Sequence, residues 1–280
     1  MSMVSIRITA SRLNGDFKPL GVVTMQYLTG STKKKPASAE RGFIMYQGPS
    51  VLDGQPIVVV ATMSTSNVKT GQMIQTWILR SDINPVEASK IGQDSSICGN
   101  CVHRHYKGPN GKGGGACYVN IGQAPNSVYK GYKRGIYPVF SFDDHAHYFS
   151  HRKIRLGAYG DPAAVPFGVM RSISDLGLGF TGYTHQADHK AFDSRFFELC
   201  QVSADTPRQA AKFQALGAKT FRVALVGDAL ADSEIECLSD SKGIQCIDCM
   251  LCDGTSKNIA ITIHGSRSNR FKSNLIAVGG

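Results

Sequence analysis

The sequence has no run of 18 apolar residues, and its first 25 residues contain no apolar block. A membrane-spanning helix needs roughly 20 consecutive apolar residues and a secretory signal needs an apolar centre, so the sequence predicts neither. Internal repeats, coiled-coil heptads and low-complexity stretches are also missing, so nothing favours a component of a virus particle. We therefore expect a cytoplasmic chain that has no membrane partner.

Acidic residues are scarce, with 21 Asp and Glu against 31 Lys and Arg, and the formal net charge is +10. Residues 1–150 hold 16 basic and 8 acidic residues, whereas residues 151–280 hold 15 and 13. The densest part, residues 101–155, holds 9 basic and 2 acidic residues. A basic surface attracts polyanions, and nucleic acid is the commonest polyanion in a cell. The charge predicts a nucleic-acid partner, with a merely solubilising surface as the alternative.

Disorder is excluded for most of the chain, because hydrophobic residues make up 42% of its 280 residues and charged residues 19%. A disordered chain combines few hydrophobic residues with a high net charge. A chain of this length folds as one large domain or as two small ones, with a core of its own.

From Lys153 onward, short apolar runs alternate with helical segments, and the pattern repeats at roughly 20–25 residues. This alternation is typical of parallel βα units. It predicts strands at 153–158, 179–184, 196–202, 219–226 and 258–264, and helices at 166–176 and 206–217. The preceding part is less regular and predicts strands at 56–62 and 73–80, and helices starting at Pro85 and Pro125.

We therefore predict an α/β fold, either a partial (βα) barrel or an open parallel sheet. The expected organisation is a mixed, strand-rich N-terminal portion at residues 1–125 and a βα-repeat domain at residues 126–280. Each portion carries one cysteine-rich loop that is expected to bind metal.

Polar residues follow the predicted parallel strands, where ligands bind in both of these architectures. Those we predict to be catalytic or to orient a substrate are Asp161, His185, Gln186 and His264. The alternative is that each of them caps a helix or a turn. For Asp205 the cap is favoured, because residues 203–206 have the composition of a helix cap.

Basic residues and tyrosines are interleaved in the helix predicted at 125–134. Such a pattern suits contact with phosphates and stacking on bases. The residues predicted to bind nucleic acid are Tyr129, Lys130, Tyr132, Lys133 and Arg134. The alternative is an amphipathic helix whose tyrosines pack inward.

Eight cysteines in a chain without a secretory signal argue against disulfides, and the spacing of seven of them indicates metal binding. Cys98 and Cys101 form a Cys-x2-Cys turn, and Cys117 adds a third thiol. His103 or His105 could supply a fourth ligand. Both a zinc site with three cysteines and one histidine and an iron–sulfur cluster with one open iron fit this set.

The second group has the spacing Cys-x8-Cys-x2-Cys-x2-Cys and consists of Cys237, Cys246, Cys249 and Cys252. Bacterial ferredoxins bind iron–sulfur clusters with a Cys-x2-Cys-x2-Cys run, whereas zinc usually takes two separated Cys-x2-Cys pairs. The spacing favours an iron–sulfur cluster, with zinc as the alternative. Cys200 stands alone in an apolar run and is predicted to be a core residue.

Several strings of this sequence resemble those of uncharacterised bacteriophage proteins. They are the run from Asp94 to Arg104, followed by 117–120, then 155–164, 181–186 and 246–252, within a likeness over roughly residues 43–265. More distantly, the chain resembles phage families suspected of a radical S-adenosylmethionine barrel. That resemblance implies an iron–sulfur cluster and S-adenosylmethionine as cofactors, although the first cysteine group has the spacing Cys-x2-Cys-x15-Cys where the radical motif has Cys-x3-Cys-x2-Cys.

Two functions follow as hypotheses. The first is a phage-encoded iron–sulfur enzyme of the host cytoplasm, with a radical-enzyme-like barrel that acts on nucleic acid or a nucleotide. The second is a zinc-stabilised phage protein without enzymatic activity that binds DNA, RNA or a nucleic-acid enzyme of the host. The sequence makes no prediction of oligomeric state.

Overall fold

The computed structural model describes residues 40–105, 115–265 and 268–278. Within these ranges nine strands are present: β1 (Gly42–Pro49), β2 (Pro56–Thr62), β3 (Ile74–Arg80), β4 (Lys153–Tyr159), β5 (Gly179–Thr184), β6 (Gln201–Ala204), β7 (Thr220–Ala224), β8 (Glu234–Glu236) and β9 (Asn258–Thr262). The helices of the same ranges are α1 (Pro85–Ile91), α2 (Ser95–Cys98), α3 (Ala124–Lys133), α4 (Phe142–His145), α5 (Phe167–Ser174), α6 (Pro207–Ala215), α7 (Leu238–Ser241), α8 (Cys246–Cys249) and α9 (Ser268–Val278).

The described strands form one sheet in the order β1-β2-β3-β4-β5-β6-β7-β9-β8. The pairs β1–β2 and β2–β3 are antiparallel, and every later pair is parallel. The predicted α/β fold with a mostly parallel sheet is confirmed, and within the described residues this sheet is not closed into a barrel. Because β3 pairs with β4, the sheet continues across the boundary that the sequence predicts at residue 125.

The central strands form because β-branched and aliphatic residues bury both of their faces. In β2, every residue after Pro56 is buried, and all residues of β3 are buried. The continuous apolar run of β2 is typical of a strand covered on both sides, whereas β3 also buries the polar residues Gln75, Thr76 and Arg80. The largest core cluster joins these strands to β4 through residues such as Phe43, Ile154 and Leu156.

The predicted helix starts agree with the capping chemistry. The Asn84 side chain accepts a hydrogen bond from the Val86 amide at the start of α1. Thr206 accepts one from the Gln209 amide at the start of α6. Both helices carry Pro at the first helical position, where no backbone donor is needed. Helix α6 then buries Ala210 and Phe213 in a cluster with residues of β6.

Two strand predictions were wrong in detail. The strand expected at 196–202 begins only at Gln201, because a 3-10 turn occupies Ser194–Glu198. Asp193 caps that turn by accepting a hydrogen bond from the Arg195 amide, and Phe196 fills the core from the turn. Strand β8 was missed, because it has three residues and two of them are glutamates.

Strand β8 is held by a buried ion pair. The Arg222 guanidinium donates to both carboxylate oxygens of Glu234, with Nε to Oε1 at 2.8 Å and Nη2 to Oε2 at 2.6 Å. The two side chains are 2% and 1% exposed. Arg222 lies in β7 and Glu234 in β8, on either side of β9, so the pair joins three adjacent strands.

One face of the sheet surrounds a cavity of about 940 Å³. Strands β2, β3, β4, β5, β6, β7 and β9 all contribute to its lining, with Thr62, Trp77, Arg155, Thr181, Ser203, Phe221 and Ile261 among the residues. Since seven strands reach the same space, this face is concave. In the described part of the chain, no helix has the length and apolar character needed to cross a membrane.

Candidate functional site

The first cysteine group lies over the carboxyl ends of β4 and β5. The backbone amide of Asp161, just after β4, donates to the Ile97 carbonyl at 2.6 Å. The side chain of Gln186, just after β5, donates from Nε2 to the Cys98 carbonyl at 2.9 Å. These two hydrogen bonds attach the turn that contains Cys98 and Cys101 to the carboxyl ends of the strands. Parallel folds bind their ligands at these strand ends.

Gly99 is required by this packing. Its φ angle is +53°, and a Cβ placed on it would stand 1.9 Å from Gln186 Oε1. A larger residue would therefore be strained in its backbone and would displace the Gln186 side chain.

Asp161 and Gln186 were predicted to be catalytic, but the structure gives both of them hydrogen bonds that position the backbone. Asp161 Oδ1 accepts from the Ala163 amide at 3.0 Å, and Oδ2 accepts from the His185 amide at 2.7 Å. Burial raises the pKa of Asp161 above its usual value, and these hydrogen bonds from Ala163 and His185 oppose that rise. The side chains of Asp161 and Gln186 connect the cysteine turn to two strand ends.

The thiols of the first group are close to one another but not at zinc spacing. Burial, then Asp94, then the neighbouring thiols Cys101 and Cys117 raise the pKa of Cys98 well above its usual value. Burial raises the pKa of Cys101 to about 12. Among the described residues, no three cysteine sulfurs lie within 4.8 Å of one another. Four thiolates on one zinc ion would stand about 3.8 Å apart, since each Zn–S bond is about 2.3 Å.

Three polar atoms near this group are buried without a hydrogen-bond partner among the described residues: Tyr159 Oη, His103 Nδ1 and Gln186 Oε1. Burial and then the nearby Cys98 thiol raise the pKa of Tyr159 well above its usual value. Buried polar atoms are nearly always paired, so an unpaired cluster of them fits a site that binds a further group.

The second cysteine group lies towards the amino ends of β4 and β5. The Cys246 amide donates to the Lys69 carbonyl in the loop before β3, at 2.9 Å. Lys153 Nζ, at the start of β4, donates to the Ile247 carbonyl at 2.6 Å. Gly182 in β5 donates to the Cys252 carbonyl at 3.0 Å, so the chain around Cys252 pairs with that strand.

The fourth thiol of this group, Cys237, follows β8 and donates its amide to the Ala260 carbonyl at 2.8 Å. Its side chain interacts electrostatically with Cys246 and Cys252. All seven thiols of the two groups line the same cavity. The two groups thus share a cavity, while their role as metal ligands stays a prediction.

Charged and aromatic side chains surround the second group. The Arg155 guanidinium lies 5.0 Å from the centre of the Tyr183 ring. Burial raises the pKa of Cys252 to about 12, and the nearby Tyr183 hydroxyl opposes that rise. Burial also raises the pKa of Cys246, while the cations Arg155 and Lys69 oppose that rise. Arg155 and Lys69 are thus positioned to stabilise thiolates at this site.

His103 contacts a carboxylate that sequence reasoning did not select. Its Nε2 lies 2.7 Å from Asp205 Oδ1. His103, His185 and Asp205 each offer a ligand atom, and these atoms all lie within 4.8 Å of one another. Burial by itself would raise the pKa of Asp205, but the hydrogen bond with His103 and the electrostatic effects of His185 and His103 together outweigh it, and the pKa is lowered.

Asp205 was predicted to be a helix cap, and that prediction was wrong for its side chain. Thr206 is the residue that caps α6, and the Asp205 side chain is directed to His103 instead. Its position directly after β6, at the same strand edge as His185, was the available signal.

The other predicted histidines lie elsewhere. His264 is at the cavity rim and half-exposed, with Nδ1 2.9 Å from the Thr262 carbonyl oxygen and 3.7 Å from Asp240 Oδ1. It does not join the cluster formed by His103, His185 and Asp205. His105, the alternative fourth ligand of the first group, has Nε2 3.4 Å from the Val119 carbonyl oxygen.

The residues predicted to bind nucleic acid lie on or next to α3. Tyr129 is buried in the main core cluster, so its ring is not available for base stacking in this structure. The Tyr132 hydroxyl accepts a hydrogen bond from Gln47 at 3.0 Å. Lys130, Lys133 and Arg134 are exposed, and Lys133 Nζ lies 3.3 Å from the Ser81 carbonyl oxygen.

All eight cysteines have free thiols, and Cys200 is fully buried in the main core cluster and does not line the cavity. Comparisons with protein-family models, with curated proteins and with solved structures find no match to this chain.

Proposed function

We propose that this chain is an iron–sulfur enzyme that acts on a nucleotide, free or within a nucleic acid, inside the concave cavity. The observation that carries the proposal is that all seven thiols of the two cysteine groups line one cavity beside a mostly parallel sheet. Cavities beyond the carboxyl ends of parallel strands are where such folds bind their substrates.

Cys98, Cys101 and Cys117 would hold the first cluster. Since no three cysteine sulfurs of the described residues lie within 4.8 Å of one another, thiolates that each bind a different iron of a cluster suit this group better than one shared ion. His103 is engaged by Asp205, so the three cysteines leave one iron without a protein ligand. When bound, such a cluster supplies an open iron and an electron to a ligand in the cavity, and S-adenosylmethionine is the ligand that the family resemblance implies.

Cys237, Cys246, Cys249 and Cys252 would hold a second cluster with all irons ligated. Four thiolates carry more negative charge than the metal neutralises, and Arg155 and Lys69 are the cations placed to offset it. The Tyr183 hydroxyl near Cys252 would tune the potential of this cluster by donating to the thiolate, since hydrogen bonds to the sulfurs affect the potential.

The strand order supports a partial (βα) barrel around the substrate. From β3 to β7 the strands are adjacent in chain order, without the reversal that a doubly wound sheet has. The cavity volume of about 940 Å³ suits a small ligand. Arg41, Lys69 and Arg155 line it together with the rings of Trp77 and Tyr137, which suits phosphates and a base.

Purification without oxygen tests this proposal. We expect a brown protein that contains iron and acid-labile sulfide sufficient for two clusters per chain. Cys98→Ser and Cys252→Ser should each lose about half of the iron, because each removes a ligand of one cluster only. Cys200→Ser is the matched control, since this buried cysteine belongs to neither group, and it should retain all of the iron.

A colourless protein with stoichiometric zinc would overturn the enzyme proposal. It would favour a zinc-stabilised protein that binds nucleic acid through the exposed Lys130, Lys133 and Arg134 at the end of α3. That second function predicts that binding weakens steeply as salt is added. It also predicts that charge reversal at these three residues lowers the affinity.

A further inference from the structure

We infer that His103, His185 and Asp205 form a binding site for one divalent metal ion, separate from both cysteine groups. Neither the sequence motifs nor the proposed clusters require this site. It rests on the positions of three side chains at the carboxyl edge of the sheet.

The three residues come from separate segments that the fold brings together. His103 lies in the loop after α2, His185 directly follows β5, and Asp205 directly follows β6. Strands β5 and β6 pair in parallel, so the residues after them emerge at the same edge. The loop with His103 crosses this edge because Gln186 and Asp161 hold its start there.

The ligand atoms have the spacing that one ion requires. The ligand atoms of His103, His185 and Asp205 all lie within 4.8 Å of one another, and His103 Nε2 is 2.7 Å from Asp205 Oδ1. Metal bonds from nitrogen or carboxylate oxygen are about 2.0–2.2 Å, so neighbouring ligand atoms on one ion stand roughly 3–3.5 Å apart. A shift of a few tenths of an ångström would admit the ion between His103 and Asp205.

The site is rigid and dry on its protein side. The side chains of His103 and Asp205 are 6% and 10% exposed. The His103 ring stacks on Phe271, with the ring centres 4.1 Å apart and an angle of 13° between the planes. The Asp205 amide donates to Gln209 Oε1 at 2.8 Å, and this hydrogen bond fixes the backbone of the residue that carries the carboxylate.

Asp205 is the partner that the structure gives to His103 Nε2, the ring nitrogen placed to bind the ion. All three residues also line the cavity, so coordination positions left open by the protein face that space.

The ligand set identifies the class of metal. Two imidazoles and one carboxylate with open positions are typical of Fe²⁺ and related divalent transition metals. Mn²⁺ binds nitrogen and oxygen ligands and avoids thiolates, so it distinguishes this site from the cysteines. The inference therefore does not depend on whether the cysteines hold iron–sulfur clusters.

The experiment is a titration of the full chain with Mn²⁺, after a chelator has removed loosely bound ions, followed by electron paramagnetic resonance. We expect one bound Mn²⁺ per chain. Asp205→Asn keeps the shape of the side chain but removes its charge, and His185→Gln removes an imidazole. Each should weaken Mn²⁺ binding by roughly 10–100-fold or more. Loss of a residue that only hydrogen-bonds to a metal ligand already has an effect of this size.

Matched controls separate this site from the rest of the surface. His264→Gln removes the histidine at the cavity rim, and Asp188→Asn removes an exposed carboxylate that pairs with Lys212, so both should bind Mn²⁺ as the parent does. Cys98→Ser should also retain Mn²⁺ even though it loses iron, which distinguishes this inference from the proposed function.

Absence of bound Mn²⁺ in the parent chain overturns the inference. Equal binding in the parent, Asp205→Asn and His185→Gln overturns it as well. Circular dichroism checks the fold of each variant. If the buried Asp205→Asn variant does not fold, the partly exposed His185→Gln variant decides the outcome by itself.

Discussion

The two cysteine groups contain the same local element, a Cys-x2-Cys turn, but the protein holds them in different ways. The first turn is held at strand ends, where the Gln186 side chain and the Asp161 amide donate to its carbonyls. In the second group, the segment around Cys252 pairs its backbone with β5, and Cys237 pairs with β9. The first group is therefore attached to the ends of strands, whereas the second depends on pairing with the sheet itself.

This difference makes the second group sensitive to strand packing and the first group sensitive to single side chains. The second group should lose its metal when β8 unfolds, because Cys237 directly follows that strand. The first group should lose its metal when the hydrogen bond between Gln186 and the Cys98 carbonyl is broken, even if the sheet stays intact. Four substitutions or conditions test this contrast.

The largest effect is expected from Arg222→Met. The change leaves the Glu234 carboxylate buried without its partner, which typically costs about 3–5 kcal/mol. Since Glu234 begins β8, the second cysteine group should lose its metal before the first. Chemical unfolding followed by circular dichroism measures the loss of stability, and iron analysis of the folded fraction measures the loss of metal.

The control for that substitution is Arg195→Met. Arg195 pairs with Asp193 on the surface, where the two side chains are largely exposed. Exposed pairs contribute roughly 0–1 kcal/mol, so this variant should unfold nearly as the parent does. Equal destabilisation by both substitutions would mean that the buried pair has no special part in holding β8.

Gly99→Ala should remove the first cluster and leave the second. A Cβ at this position would stand 1.9 Å from Gln186 Oε1, so the glutamine must move and its hydrogen bond to the Cys98 carbonyl is lost. Loss of a buried hydrogen bond costs about 1–3 kcal/mol, in addition to about 1–2 kcal/mol of backbone strain at positive φ. Iron analysis should find about half of the parent's content.

Gly54→Ala is the control that separates the steric clash with Gln186 from the backbone strain that an alanine causes at positive φ. Gly54 also has a positive φ, of +77°, but a Cβ there would meet nothing within 4 Å. We expect only the strain of the backbone and no loss of iron. If the two alanine variants retained the same iron content, the contact between Gly99 and Gln186 would not be what holds the first group.

Much of this architecture could be predicted from local patterns. The strands that became β2, β4 and β5 follow from apolar runs, and the caps of α1 and α6 follow from Asn84 and Thr206. Both cysteine groups are visible in the spacing of the sequence alone. For the strands and the caps, the residues that determine the structure lie within one turn or one strand of each other.

The parts that could not be predicted depend on contacts between distant segments. Asp205 meets His103 across 102 positions of the chain, so its cap-like neighbours gave the wrong interpretation. Gln186 was predicted to be catalytic because of its place after a strand, but the loop that it holds lies 88 positions earlier. Strand β8 was missed because its stability comes from Arg222 rather than from its own residues.

As the pH falls, the second cysteine group should lose its metal before the first group does. Burial by itself would raise the pKa of Glu234, but the hydrogen bonds from Arg222 and from the Ala231 amide outweigh it, and the pKa lies below the usual 4.5. A carboxylate with a lowered pKa stabilises the fold above its unfolded pKa, and that contribution is lost as the pH falls through the folded value. Unfolding free energies measured between pH 7 and about pH 3 should therefore fall below pH 4.5.

Glu234→Gln is the variant that checks this assignment. It has no carboxylate to protonate, so its stability should be lower at neutral pH but should change less over the acidic range. An unchanged acid slope in this variant would assign the pH dependence to other carboxylates.

The smallest effect is expected from Tyr183→Phe, which removes one hydroxyl and keeps the ring beside Arg155. Loss of the interaction between this hydroxyl and Cys252 should cost no more than a hydrogen bond does, about 0.5–1.5 kcal/mol of stability. Because hydrogen bonds to cluster sulfurs stabilise the reduced, more negative state, the second cluster should become harder to reduce, so its potential should fall while that of the first stays the same. A potentiometric titration measures both, and Tyr148→Phe, at a ring that contacts Phe43 instead, is the control. If Tyr183→Phe also shifted the reduction potential of the first cluster, the two groups would be coupled through the cavity. The expectation that each group responds only to its own contacts would then be wrong.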